Sequence, residues 1–356
     1  MLEKVIKTAV VILNWNGKEF LEKFLPVLIE HTQDPATEII VADNDSSDDS
    51  VAFLEAHYTD LRLVRLERNH GFAGGYNEAL RKVEAEYYML LNSDIEVTGN
   101  WLRPLVDHLD RHTEVAACSP ILLDQQQRDK FEYAGAAGGY IDRYGYTFCR
   151  GRIFHTTERF SGEPTEPLEV FWTTGACMLV RSAIFREAGG FDAHFFAHME
   201  EVDLCWRLRN RGHKLSVVPA SRVYHVGGGT LPKSNPFKTY LNFRNNLFLL
   251  YKNLPEKELK STIRTRMLLD GISALQFLLT FKFGDLKAVC RAHRDFRKNK
   301  GAYRETRERY SSAIKKTSHP EMYNRSVVFD YFLAGRKQFN QLRDQFEQRM
   351  NQRVVT

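Results

Sequence analysis

Short apolar runs rich in β-branched residues alternate, along the first third of the chain, with segments whose apolar positions recur at helical spacing. AVVILN (Ala9–Asn14), EIIVADN (Glu38–Asn44), LRLVRLE (Leu61–Glu67) and YYMLLNSD (Tyr87–Asp94) are predicted strands. Lys18–His31, Ser47–His57 and Gly75–Val83 are predicted helices between them. This rhythm implies right-handed βαβ crossovers and a mostly parallel sheet covered on both faces. Ligands of such sheets bind beyond the carboxyl ends of the strands. Here those ends carry Asn14, Trp15 and Asn16, then Asp43, Asn44 and Asp45, then Arg68, Asn69 and His70, then Asn92, Ser93 and Asp94. Each cluster alone reads equally as turn or N-cap chemistry. Four of them closing four successive strands point to one shared polar site.

Two further motifs carry chemistry. GFAGGYNEAL (Gly71–Leu80) sets Gly71, Gly74 and Gly75 before a helix expected to start near Tyr76, so backbone N–H groups could face a diphosphate. It lacks both the Walker lysine and the GxGxxG spacing. HMEEVDLCWRLRNRG (His198–Gly212) puts the acids Glu200, Glu201 and Asp203 at the start of a predicted helix that runs through Arg211. Clustered carboxylates repel, so at least one keeps a raised pKa unless cations lie close, which is what a general base needs. The competing reading is an acidic first turn that complements the helix dipole. Asp94, at a strand end, suits a hard divalent cation bridging diphosphate oxygens.

Composition narrows the class. The 356 residues are 43% hydrophobic and 27% charged, enough for one large domain and an appendage. Five scattered cysteines form no CxxC pair, and MLEKVIKTAV has no apolar run of the length a secretion signal needs, so a cytoplasmic location is expected. The net charge is only +5, and no nucleic-acid partner is expected. The excess is local: Lys282–Lys316 holds twelve basic residues against four acids. From Asn235 onward the texture becomes amphipathic. MLLDGISALQFLLTF (Met267–Phe281) is too short to span a bilayer but could lie in its interface. Packing on the catalytic domain or a homodimer contact are the alternatives.

VVILNWNG, VADNDSSDDS, ERNHGFAGGYNEAL, YMLLNSDIEV, FWTTGACMLVRSAIFREAGGFD, HMEEVDLCWRLRNRGHKL and VYHVGGGT, in that order, resemble family 2 glycosyltransferases of the GT-A fold, and within them the bacterial rhamnosyltransferase-like branch. The resemblance covers Ala9–Thr230 and continues more loosely to Asn253. It implies an α/β, Rossmann-like catalytic domain over residues 1–234 with a C-terminal helical region over 235–356. It also implies a donor nucleotide-diphosphate sugar, a lipid-linked or polysaccharide acceptor, and Mn2+ or Mg2+.

By that resemblance Asn92, Ser93 and Asp94 stand at the family's DxD metal motif, with Asn replacing the first acid, and His225 is a further metal ligand. Asp43 and Asn44 fall at base-recognising positions, Asn14 and Asn16 at the first nucleotide loop, and Gly71, Gly75 and Asn77 beside the ribose and diphosphate. Trp172 and Gly175 fall against the donor sugar and acceptor. The base position falls on Glu201, with Glu200 and Asp203 left to orient the helix, pair with Arg207 or hold acceptor hydroxyls. Gly227, Gly228 and Gly229 read as a lid loop. The implied reaction is inverting transfer, first of rhamnose from dTDP-rhamnose, with a UDP-hexose or UDP-galactofuranose donor, or a binding protein without turnover, as alternatives. A nucleotidyltransferase fits less well, since NWNGKEF is not a basic glycine-rich loop.

Overall fold

In the computed structural model, residues 6–162, 164–227 and 235–342 are described. The first half runs β1 (Thr8–Asn14), α1 (Lys18–Glu30), β2 (Thr37–Asp43), α2 (Ser50–His57), β3 (Arg62–Arg65), α3 (Gly71–Leu80), β4 (Tyr87–Asn92), β5 (Ile95–Val97), α4 (Arg103–Arg111) and β6 (Val115–Asp124). A small second sheet follows, from β7 (Gly139–Asp142), β8 (Thr147–Cys149), β9 (Arg152–Ile153) and β10 (Thr156–Thr157). Then come β11 (Leu168–Glu169), β12 (Cys177–Arg181), α5 (Ser182–Glu187), a 3₁₀ turn at Ala193–Phe195, α6 (Glu200–Asn210) and β13 (Lys214–His225). The chain closes with α7 (Pro236–Asn253), α8 (Glu256–Leu279), α9 (Phe283–Asn299), α10 (Arg304–Ser312), β14 (Met322–Tyr323) and α11 (Val327–Phe332).

The main sheet has the order β3-β2-β1-β4-β12-β6-β13-β11, with β5 also on β13. β3, β2, β1 and β4 run parallel, as expected, and β12 enters antiparallel between β4 and β6. The central strands β1 and β4 are buried nearly throughout, because helices cover both faces of the sheet. The chain walks from β1 outward to β3 and then returns to the other side of β1 as β4. That reversal is the switch point at which α/β sheets open a crevice at their carboxyl ends. The polar ends of β1 and β4 flank it.

The predicted strands are all present. The third helix begins earlier than expected, at Gly71 rather than near Tyr76. Its glycines are there for packing: a Cβ on Gly75 would sit 2.9 Å from Leu13, and one on Gly71 would sit 2.5 Å from the Phe196 ring. Gly71 also holds φ at +69°, which favours glycine.

The segment after Pro236 is built into the rest of the chain. β14 pairs in parallel with β7, and Asp142 accepts a hydrogen bond from the Val327 amide at 3.0 Å. Lys252 of α7, fully buried, donates to Asp192 and Asp203 at 2.7 Å each, and Asn253 donates to the other Asp203 oxygen at 2.9 Å. Burial opposes ionisation of Asp192, yet hydrogen bonds from His194 and the Lys252 charge hold its carboxyl well below the usual range.

Lys252→Met would leave those buried carboxylates short of a cation. We expect it to lower unfolding stability by about 3–5 kcal/mol, read from chemical denaturation. A carboxylate with a depressed folded pKa contributes stability above its unfolded pKa and loses it as pH falls, so the deficit should shrink in acid.

Candidate active site

A cavity of about 570 Å³ opens at the carboxyl ends of β1 and β4. Of the predicted residues, Asn44, Gly71, Asn92, Ser93, Asp94, Gly175, Glu200, Glu201 and His225 line it. The sheet register explains the meeting of two of them. β13 pairs antiparallel with β5 so that His225 faces Ile95, which puts Asp94 beside the imidazole. His225 Nε2 lies 3.1 Å from Asp94 Oδ1, and Nδ1 lies 3.3 Å from Glu132 Oε2. Burial works against a charged imidazole, but the two carboxylates outweigh it and raise the His225 pKa well above the ordinary value. Burial likewise opposes the Asp94 charge, and His225 with nearby backbone amides brings its pKa below normal.

The three acids of α6 separate into two environments. Asp203 is fully buried away from the cavity and has, besides Lys252 and Asn253, Arg207 Nε at 2.9 Å. Glu200 and Glu201 face the cavity, and each has one buried carboxylate oxygen with no hydrogen-bond partner among the described residues. Burial raises both pKa values, and for Glu200 the neighbouring Glu201 charge raises it further. Glu201 keeps some exposure, whereas Glu200 is 4% exposed. A Cβ on Gly175 would lie 3.3 Å from the Phe72 ring and 3.4 Å from Glu201 Cβ, so the glycine lets the chain pass close beside both side chains.

The turn before α6 is strained. Phe196, His198 and Met199 all have positive φ, between 64° and 72°, in the region that costs non-glycine residues about 1–3 kcal/mol each. Asn245 of α7 braces it, its amide lying 2.7–2.9 Å from the carbonyls of Phe195, Ala197 and His198.

Other predicted residues act as scaffold. Asn16 is in a left-handed turn, and its side-chain oxygen accepts from the Ser47 and Asp48 amides. Asn14 donates to Asp43 at 3.1 Å, and Asp43 in turn accepts from the Ser46 amide. Asn44 lines the cavity but spends its side chain on Asn69, His70 and Gly71. The amides at the start of α3, expected to face a diphosphate, are partly taken: Gly71 donates to Asn69 Oδ1 and Ala73 to the Phe196 carbonyl. Asn77 binds both backbone groups of Phe191, and Gly75 packs on β1. Trp172 is core: it is 3% exposed, lies against Gly139, and its indole donates to the Tyr140 carbonyl. Of the expected lid, Gly227 is described, while Gly228 and Gly229 lie outside the described residues.

Glu132 and His198 were not foreseen: Glu132 stands in no motif, and His198, though it opens the acidic motif, is overshadowed there by the carboxylates that follow it. Glu132 reaches the site through the hairpin after β6. His198 lines the cavity with a buried Nε2 that has no partner among the described residues, and burial, then the Lys238 charge, push its pKa down to about 4.

A comparison of families matches residues 9–189, just over half of the chain, to Glycosyl transferase family 2. The chain belongs to that family. It is therefore a glycosyltransferase. It is 28% identical over 236 residues to the N-acetylglucosaminyl-diphospho-decaprenol L-rhamnosyltransferase of Mycobacterium tuberculosis, covering 61% of this chain and 75% of that one. It is 25% identical over 226 residues to rhamnosyltransferase WbbL of Escherichia coli, covering 61% and 82% respectively. The structure of GalNAc-T7 with UDP, GalNAc and Mn2+ aligns with a TM-score of 0.57 at 19% identity, covering 72% of this chain and about half, 49%, of the other. That likeness is one of fold, the GT-A arrangement.

The donor set at Asp94 fits a divalent cation in part. Among the described residues no three His, Cys, Asp or Glu side chains are grouped to enclose an ion. Asp94 and His225 would supply an oxygen and, once the imidazole gives up its proton to the incoming cation, a nitrogen, with Glu132 at the far ring nitrogen orienting the ring. Two such protein ligands suit a cation whose remaining positions go to diphosphate and water.

Glu132→Gln removes one of the two carboxylates that charge His225. The imidazole pKa should fall toward the ordinary histidine range, as followed by NMR titration of the ring protons; an unmoved titration would show that Asp94 alone sets it.

Proposed function

We propose that this glycosyltransferase moves rhamnose, with inversion, from dTDP-rhamnose to a lipid-linked acceptor in cell-surface glycan synthesis, at the cytoplasmic face of the membrane. The carrying observation is that Glu200 and Glu201, carboxylates without cationic partners among the described residues, share one cavity with Asp94 and His225. The two rhamnosyltransferases similar to this chain support the sugar, and the diphospho-decaprenol acceptor named for one of them supports the lipid. In this reading residues 1–234 carry the chemistry, and the described helices of the region 235–356 brace it.

Glu201 is the general base. Its burial keeps the carboxyl basic, and its partial exposure leaves it reachable from the cavity. The carboxylate takes the hydroxyl proton as the oxygen attacks the anomeric carbon. Glu200, more deeply buried, has its own carboxyl raised by burial and then by the Glu201 charge, so it holds its proton while Glu201 takes up the one from the acceptor. The diphosphate end of the donor lies at Asn92, Ser93 and Asp94. A Mn2+ or Mg2+ ion held by Asp94 and His225 would offset charge building on the leaving diphosphate.

Glu201→Gln should lower kcat by about 10²- to 10⁴-fold, the usual worth of a general base, while dTDP affinity by calorimetry stays near wild type. Because the substitution removes a buried carboxyl, the melting temperature should hold or rise. Persistent turnover would transfer the role to Glu200. In the wild type, kcat/KM should fall with acid around a pKa above the usual glutamate range, since the base must be ionised to act.

Asp94→Ala should abolish the enhancement of dTDP binding by Mn2+ in calorimetry; an enhancement equal to wild type would take Asp94 out of the metal site. Turnover with UDP-hexoses but not dTDP-rhamnose would overturn the donor assignment.

A further inference from the structure

Half of the large apolar side chains exposed among the described residues fall between Leu268 and Phe283. On α8, Leu268, Ile272, Leu275 and Leu279 recur at helical spacing and are 54–72% exposed. The opposite face holds the polar groups. Thr262, Arg266 and Asp270 are buried, with Asp270 paired to Arg266 at 2.7 Å and to His293 of α9 at 3.0 Å. From Arg266 onward the helix is thus inside out for an aqueous surface: its ions, Arg266 and Asp270, face the protein and its leucines face outward. At the hairpin tip, Phe281 is 78% and Phe283 51% exposed. An exposed apolar face of this continuity marks an interaction surface.

Its charges and its place say what covers it. Lys282 and, on α9, Lys287, Arg291 and Arg294 are exposed beside the apolar tip. A two-fold contact between copies of the chain would set these cations against themselves, whereas an anionic lipid surface would match them. No helix among the described residues is long and apolar enough to cross a membrane, so α8 would lie on the bilayer. The tip also adjoins the active site. A Cβ on Gly284 would sit 2.9 Å from Pro236, and Thr239 donates to Asp285 at 2.6 Å. Phe237 and Lys238, between those two contacts, line the cavity.

We propose that the α8–α9 hairpin is a membrane foot: Leu268, Ile272, Leu275, Leu279, Phe281 and Phe283 enter the interface of an anionic bilayer, the neighbouring lysines and arginines meet its headgroups, and the cavity mouth is held at the lipid surface. The inference rests on the lipid-linked acceptor reading for its purpose but not for its test.

The full chain should sediment with phosphatidylglycerol-containing vesicles at least ten-fold more than with phosphatidylcholine vesicles, and less so as salt is raised. A Leu275→Ser, Leu279→Ser, Phe281→Ser variant should remain in the supernatant while keeping its melting temperature and its turnover on a short soluble acceptor. Wild type left in the supernatant with anionic vesicles would overturn the proposal, as would equal sedimentation of the variant. So would a wild-type dimer in analytical ultracentrifugation that the variant converts to monomer. Vesicle binding without transfer to any lipid-linked acceptor would leave the foot standing and remove the acceptor reading instead.

Discussion

The division of cations among three carboxylates on one helix turn governs the chemistry available to this site. Asp203 takes Lys252, Arg207 and Asn253, whereas Glu200 and Glu201 are left with buried oxygens that have no partner among the described residues. Were Lys252 to reach toward the cavity, the same acids would be ordinary anions of low basicity. The ammonium instead lies between Asp192 and Asp203, 2.7 Å from each, and its position follows from where α7 crosses α6. Residues remote in the chain thereby set the protonation of a helix they do not belong to.

The opposite wall depends on strand register. β13 ends beside β5, and that pairing alone brings Asp94 and His225 into contact across more than a hundred residues of chain. Glu132 completes the row from a third segment. Between the walls, the turn at Phe196–Met199 stays in a costly backbone conformation because Asn245 holds its carbonyls. α7 therefore acts twice, once on the charge of the acids and once on the turn that presents them.

The C-terminal helices show the converse distribution. α8 buries an Arg–Asp–His cluster and exposes leucine, the reverse of what water favours. With its tip against the start of α7, the same segment that braces the acids also fixes where the apolar surface lies relative to the cavity.

The strands and their order of appearance were readable from the sequence, because a strand buried on both faces must be apolar along its length and its polar end marks where the sheet stops. The family motifs and the acidic cluster were readable for the same reason: each is local. Helix starts were less so, since Gly71 and Gly75 look like loop residues until Phe196 and Leu13 are seen to press on them. Only the tertiary structure decided which polar residues hold the loops and which face the cavity. Asn14, Asn16, Asp43 and Asn77 are spent on neighbouring groups, Trp172 on the core, and Asp203 on Lys252, while Glu132 arrives without any motif. A side chain's type is written in the chain, but its partners come from segments a hundred residues away, and partners are what settle its charge and its role.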